Sequence, residues 1–553
     1  MKRVKQFLFL LVFFFCILFK EVLAQVITPP TQFPYGVYLS KRDSLNPVTY
    51  EYVDDLGMNT VIQYANGDNP ALNDILDKYN LVAIKNDSQN DAVAYYSAGY
   101  YTKWEAEDTT KNELETGIKA DFGSATNYSN IACWTSGTDL ENTNTIMLRG
   151  PQYRQDKKYV PWYLNELLQY KLRFNVAVST INGITPEPTD PVCKVSVIFT
   201  YINDQGITID YPLEGAELTL YVSSFTGESF EPFEIVYSYP PEFEQYNSKM
   251  EGLNQYELLD YDDTYPGTGI QFKVTWFGNK QLYVDNFQVF DERIGSRIVD
   301  LYPQVVFDIT SFANKYNGWD NIKYFFNVSE PQTIDRYTPM KIVDDILEAM
   351  NKPKGIAEFF PQWNGWRNGD RTIYKFKEMA NPEKMMMEFI TFVEGKPMEE
   401  MYEYQRYLLT ELSDVNPVFW HESLIAEPTL PDGSKCWLYS PPPEKLNASI
   451  MLSLSFGAKG VFFWMLTSTD LKYEVNCNSE VWYKNILDEN YLPNEPLDGY
   501  IKNDLSPRMN GVLGSTDDTT LTYTFPEGQG CLDCTCVSLH LTSVMLDHAI
   551  VVR

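Results

Sequence analysis

The sequence predicts a multidomain α/β plus all-β protein: a (β/α)8 TIM barrel interrupted after its third strand by a β-sandwich, with a short β segment at the C-terminal end. Three observations predict it. Short apolar runs alternate with helical stretches over residues 25–90 and again over 296–492, the pattern of βαβ units and a parallel sheet. Between them, residues 91–295 alternate apolar and polar positions with turn signals and hardly any helical period, which is the pattern of an antiparallel sandwich. Three strands before that stretch and five after it make the eight that close a barrel.

The elements follow in order. Gly36 to Ser40 reads as a buried strand, Pro47 to Leu56 as a helix, Thr60 to Tyr64 as a second strand, Pro70 to Tyr79 as a helix and Leu81 to Lys85 as a third strand. Within the insertion, alternating strands are expected at Tyr170 to Val178, Lys194 to Tyr201, Leu218 to Val222, Gly269 to Phe277 and Gln281 to Phe290. The strand-helix rhythm resumes with a helix near Val299 to Tyr316, a strand ending at Val328 and a helix from Tyr337 to Met350. Strands at Gly355 to Phe360 and Lys384 to Phe389, a helix at Met398 to Leu412 and a strand at Pro417 to Trp420 come next. A helix at Leu446 to Phe456 and a strand at Gly460 to Met465 complete the barrel, and residues 493–553 read as a separate β segment, with truncation expected near the end.

Residues 1–24 have a basic start, an apolar run from Phe7 to Phe19 and Val22-Leu23-Ala24, small residues where a signal peptidase cuts. The run is about 13 residues, shorter than the roughly 20 that span a bilayer. A secreted or extracytoplasmic protein without a membrane span is expected. Cys16 lacks the small residues that precede a lipidated cysteine. Without the signal, 40 Lys and Arg face 74 Asp and Glu, which argues against nucleic acid as a partner. Aromatic residues make up 15% of the chain, with 39 Tyr and 11 Trp, a composition suited to stacking on sugar rings as well as to filling sandwich cores. Seven cysteines remain, so they cannot all pair within the chain; Cys133 with Cys193 and Cys436 with Cys477 are candidate disulfides. Cys531, Cys534 and Cys536 form half a metal knuckle with no second cluster to complete it.

The chemistry centres on Ser329-Glu330-Pro331, which follows the fourth strand and precedes a helix, where such barrels gather their catalytic groups. Glu422, in Trp420-His421-Glu422, falls at the end of the seventh strand. Together with Leu452 to Trp464, these segments resemble the large clan of retaining (β/α)8 glycoside hydrolases of the β-galactosidase-like kind. The resemblance implies Glu330 as acid/base after strand four, Glu422 as nucleophile after strand seven and Trp464 as the floor of a sugar subsite. Two carboxylates are required because one protonates the departing glycosidic oxygen while the other attacks the anomeric carbon; a separation of roughly 5 to 5.5 Å permits direct attack and retention. No cofactor is needed for that reaction. The three histidines, His421, His540 and His548, are too few and too scattered for a triad or a three-histidine metal site.

The chain departs from that clan in carrying Ser329 where Asn usually precedes the acid/base. Glu427 and Glu388 compete with Glu422 for the nucleophile's role. Gln362, Trp363, Asn364, Trp366 and Arg367 follow the fifth strand and are candidates to line the same mouth, as are Gln63, Tyr64, Asn66 and Trp420. In the insertion, Trp104-Glu105-Ala106-Glu107 and Leu282 to Phe287 resemble the opening and closing strands of carbohydrate-binding-module-like jelly rolls. That likeness implies a structural calcium with Glu105, Glu107 and Asp285 as ligands, calcium being a hard cation that prefers oxygen. A secreted glycosidase acting on a poly- or oligosaccharide is the leading expectation. The rival is a non-catalytic carbohydrate-binding or cell-surface protein on a degenerate barrel.

Overall fold

The computed structural model describes residues 33–63, 70–85, 91–105, 115–118, 131–134, 145–150, 169–202, 208–238, 269–327, 331, 336–352, 355–359, 372–389, 391–393, 395–415, 418–436, 438–467, 472–474, 477–488, 490–510, 512–514 and 521–523. Strand β1 (Tyr35–Leu39) is buried along its whole length. Ser40 ends it by capping α1 (Lys41–Ser44): its hydroxyl accepts from the Asp43 amide while the Asp43 carboxylate accepts from the Ser40 amide, a reciprocal capping box. Asn46 caps α2 (Pro47–Asp55), where Pro47 occupies the first turn and so forfeits no hydrogen bond. Then come β2 (Thr60–Gln63), α3 (Pro70–Tyr79), β3 (Val82–Lys85) and α4 (Ala92–Ser97), the last capped by Asp91.

Ten strands follow: β4 (Tyr101–Glu105), β5 (Glu115–Ile118), β6 (Ile131–Trp134), β7 (Thr145–Gly150), β8 (Gln169–Ser179), β9 (Pro191–Ile202), β10 (Thr208–Tyr221), β11 (Glu231–Ser238), β12 (Gly269–Trp276) and β13 (Gln281–Asp291). They pair antiparallel into one sheet of order β10-β9-β12-β7 and another of order β11-β8-β13-β6-β5, with β4 also on β13. The two sheets meet face to face, Phe272 stacking on Phe287 at 4.5 Å between ring centres. Burial of alternate residues on both inner faces supplies the driving force.

Asp291 makes the exit from these sheets rigid. Its carboxylate accepts from the amides of Ile294 (2.8 Å) and Gly295 (2.9 Å) where α5 (Gly295–Asp300) begins. Arg173 on β8 donates to Glu234 and to Asp300, tying the sheet to that helix. After α6 (Tyr302–Asn314), β14 (Ile322–Phe326), α7 (Tyr337–Ala349), β15 (Gly355–Phe359), α8 (Thr372–Met379), β16 (Lys384–Phe389), α9 (Met398–Val415), β17 (Phe419–Leu424), β18 (Glu427–Thr429), α10 (Pro443–Ser455), β19 (Val461–Trp464), β20 (Lys472–Glu474) and β21 (Ser479–Lys484) complete the sequence of main elements. Strands β22 (Val512–Gly514) and β23 (Leu521–Tyr523) form a hairpin.

Eight strands close a parallel barrel in the order β1-β19-β17-β16-β15-β14-β3-β2. Closure is made where Tyr35 to Val37 pair with Val461 to Phe463 on one side of β1 and Gly36 to Leu39 pair with Thr60 to Gln63 on the other. The described chain is thus α/β plus antiparallel β. Strand β17 runs to Leu424 instead of stopping at Trp420, so Glu422 stands within it. The reason is that His421, Glu422 and Ser423 keep ladder partners on both sides, in β16 and β19. A helix between the fifth and sixth barrel strands (α8) and the small sheet β18-β21-β20 are further elements that local pattern did not predict. Of the two candidate disulfides Cys436–Cys477 is made, with Cα atoms 5.7 Å apart, whereas Cys193 is a free thiol buried in the sandwich core and is not paired with Cys133. Among the described residues no helix is long and apolar enough to cross a membrane.

Candidate functional site

Residues two apart on a strand share a face, and the inward set of the barrel is read from its interior cluster: Tyr38, Ile62, Ile84, Tyr324, Phe326, Met386, Trp420 and Phe462. Two residues beyond Met386 and Trp420 stand Glu388 and Glu422. They are register partners across the β16–β17 ladder, both turned inward and both buried, at 4% and 0% exposure. Neighbouring strands lie about 4.8 Å apart, so two carboxylates on one face of that ladder are held side by side. Tyr38, from β1, reaches across the barrel: its phenol donates to Glu422 Oε2 at 3.2 Å and lies 2.9 Å from the thioether of Met386. A carboxylate is the stronger acceptor of the two, since thioether sulfur accepts weakly.

The outward face of the same strands carries a second polar arrangement. His421 Nδ1 is 2.8 Å from Ser453 Oγ on α10 and Nε2 is 2.6 Å from Ser423 Oγ. Gln405 of α9 donates to Ser453 Oγ and to the Ser449 carbonyl, both at 2.9 Å, and its own carbonyl accepts from Ser449 Oγ at 2.8 Å. The imidazole stacks on Phe389, centres 5.1 Å apart. Burial lowers the His421 pKa from its ordinary 6.5 to about 3, so the ring is neutral at physiological pH.

Glu427 is drawn into different work. It accepts from Lys435 Nζ at 2.7 Å and from the Ser440 amide at 3.0 Å, with Lys484 Nζ 3.6 Å away, on the small sheet outside the barrel. Burial by itself would raise its pKa; the hydrogen bonds from Lys435 and Ser440 and the two ammonium charges outweigh it and hold the carboxyl below its usual value. Gln63, expected at the mouth, faces outward because Ile62 takes the inward position, and it donates to Tyr50 Oη at 2.8 Å. Trp420, also expected to contact substrate, has no exposed surface; it lies below Glu422, edge-on to Tyr324 and stacked on Phe462, as part of the packed interior. Trp464 is inward and half-buried at the end of β19, with its ring edge-on to Tyr483 at 5.4 Å.

Ser329, Glu330, Gln362, Trp363, Trp366 and Glu107 lie outside the described residues, as do residues 1–32 and 524–553. Asn327, at the end of β14, donates to Asp344 Oδ1 at 3.1 Å, and the same oxygen accepts from the Gly355 amide at 2.8 Å. This ties the end of β14 to α7 and to the start of β15. For the expected calcium, Asp285 is fully buried and its Oδ2 accepts from Asn286 Nδ2 at 2.8 Å, while Glu105 is the ladder partner of Asn286 and not of Asp285. Among the described residues no group of three or more His, Cys, Asp or Glu is gathered as metal ligands. Tyr38 and the His421 network were not anticipated. The sequence signal for them is the alternation of inward and outward residues along β1 and β17, which appears only once Trp420 to Leu424 is recognised as one strand.

No family model and no curated protein matches the chain. Similar solved structures include the N-terminal CBM22-1-GH10 modules of Clostridium thermocellum endo-1,4-beta-D-xylanase 10B, at 7% identity over 74% of this chain and 97% of that one, TM-score 0.26. Ruminococcus gnavus beta-glucuronidase is 8% identical over 74% of this chain and 97% of its own, TM-score 0.28. Cryptosporidium parvum pyruvate kinase is 9% identical over 88% and 71%, TM-score 0.29. At these identities and scores the likenesses decide nothing about activity.

Proposed function

We propose that the chain is a secreted glycoside hydrolase that cleaves a poly- or oligosaccharide with retention, Glu422 being the nucleophile and Glu330 the acid/base. One observation carries this reading: Glu422 projects inward at the loop-bearing end of the seventh strand of a closed parallel barrel, its carboxylate oriented by the Tyr38 phenol. Barrels of this architecture gather their chemistry at that end. Glu330 would give its proton to the glycosidic oxygen as the bond to the leaving sugar breaks, while a Glu422 oxygen bonds to the anomeric carbon. Glu330, now a base, would take a proton from water as that water displaces Glu422. Trp464, with Trp363, Trp366, Gln362 and Ser329, would bind the sugar. The sandwich would add a second carbohydrate contact, and residues 1–24 would direct export.

A second reading has an observation of its own. Glu388 and Glu422 have almost no exposed surface, as expected of carboxylates retained inside a barrel that binds carbohydrate without cleaving it. A panel of chromogenic glycosides separates the two. Under the first reading one of them is turned over, and Glu330→Gln costs about 10²- to 10⁴-fold, the usual worth of a general acid. Glycan binding with no turnover across the panel selects the second, and unchanged turnover in Glu422→Gln eliminates the proposed nucleophile.

A further inference from the structure

The hydrogen bonds behind β17 have a direction. Gln405 spends both amide protons, one on the Ser449 carbonyl and one on Ser453 Oγ, and its oxygen takes the Ser449 hydroxyl proton. With Gln405 donating to Ser453 Oγ, the Ser453 hydroxyl proton is available for His421 Nδ1. A neutral imidazole has one donor and one acceptor nitrogen, so one ring nitrogen donates to a serine hydroxyl and the other accepts from one, and both ends of the ring are held. A single ordered chain results, from Ser449 through Gln405, Ser453 and His421 to Ser423. Each of its members is at most 1% exposed, and a buried polar chain of this kind is stable only when every member is satisfied.

Its placement is what matters. His421 and Ser423 flank Glu422 on both sides along β17, and the imidazole lies on Phe389, the residue after Glu388. The chain therefore holds β17 through the His421 and Ser423 side chains and packs against β16 through Phe389, all from the helix side, where it touches nothing inside the barrel. We propose that it is a positioning device which sets the height of Glu422 against Glu388; its catalytic consequence rests on the glycosidase reading above. None of its members is a catalytic residue, because none reaches the barrel interior.

The test compares Ser453→Ala, Ser453→Thr and His421→Gln with Ser506→Ala. Ser506 is an equally buried hydroxyl, bonded to Tyr35 Oη at 3.1 Å on the far side of β1, and serves as the control for lost stability. Displacing reacting groups by about 1 Å costs about 100-fold in rate. A fall in kcat of that size in Ser453→Ala and His421→Gln at unchanged KM is expected, with recovery in Ser453→Thr and no such fall in Ser506→Ala. A Ser453→Ala protein that loses stability like the control but keeps its kcat overturns the inference while leaving the glycosidase reading intact. A substrate-independent readout is the titration of Glu388 and Glu422 followed by 13C NMR of labelled glutamate. Curves altered in Ser453→Ala but not in Ser506→Ala support the device even if no glycoside is cleaved. Identical curves in both variants overturn it.

Discussion

Trp420 occupies the space that a side chain at Gly460 would need. A Cβ built on Gly460 stands 2.9 Å from Cγ and Cδ1 of the indole and 3.1 Å from the Pro34 carbonyl oxygen. Since the indole is packed between Tyr324 and Phe462 with no exposed surface, it has nowhere to go.

Gly460→Ala is therefore expected to destabilise the protein by about 1–3 kcal/mol, the usual cost of overpacking a filled core. Urea denaturation measures it. A change below a few tenths of a kcal/mol would show that the barrel interior yields at this point.

Tyr38→Phe removes the donor on Glu422 while keeping the ring that packs edge-on to Phe326. A hydrogen bond to a charged group contributes about 1.5–3 kcal/mol, so glycoside turnover is expected to fall roughly 10- to 100-fold. Equal kcat values in the two proteins would exclude Tyr38 from orienting the nucleophile.

His421 makes stability depend on pH in a defined direction. The folded ring stays neutral down to about pH 3, whereas an imidazole in the unfolded chain binds a proton below about 6.5. The contribution is fully present above 6.5 and is lost as pH falls toward 3, by about 1.4 kcal/mol for each pH unit well inside that window. Denaturation curves at pH 7, 6 and 5 should converge for wild type and His421→Gln as the pH drops; a constant difference between them contradicts the neutral buried ring.

The Cys436–Cys477 bond spans 41 residues that include α10 and β19. Closing a loop of that length restrains the unfolded chain and is expected to contribute about 2–4 kcal/mol. Paired Cys436→Ser and Cys477→Ser substitutions should lower the thermal midpoint accordingly, and an unchanged midpoint would show that the bond does not constrain the unfolded state.

Much of the local structure was legible in the chain. Pro70–Tyr79 and Lys384–Phe389 have the bounds their composition predicts, because a helix and a fully buried strand each declare themselves within a few residues. The seventh strand was legible only in part. It was expected over Pro417 to Trp420 with Glu422 at its end; it runs on through His421, Glu422 and Ser423 because Ser453, Tyr38 and flanking ladders, 30 or more residues away in the chain, pair with them.

What the sequence determined by itself was the alternation of elements and the presence of carboxylates near the ends of barrel strands, since both depend on neighbours a few positions away. Which carboxylates share a face was decided only by tertiary structure. Glu388 and Glu422 are brought together by ladder register, Glu427 is taken by Lys435 and Lys484, and Gln63 is turned outward by Ile62. Register is set by where buried side chains fit once the sheet has closed, and a shift of one residue would send each of these groups to the opposite face.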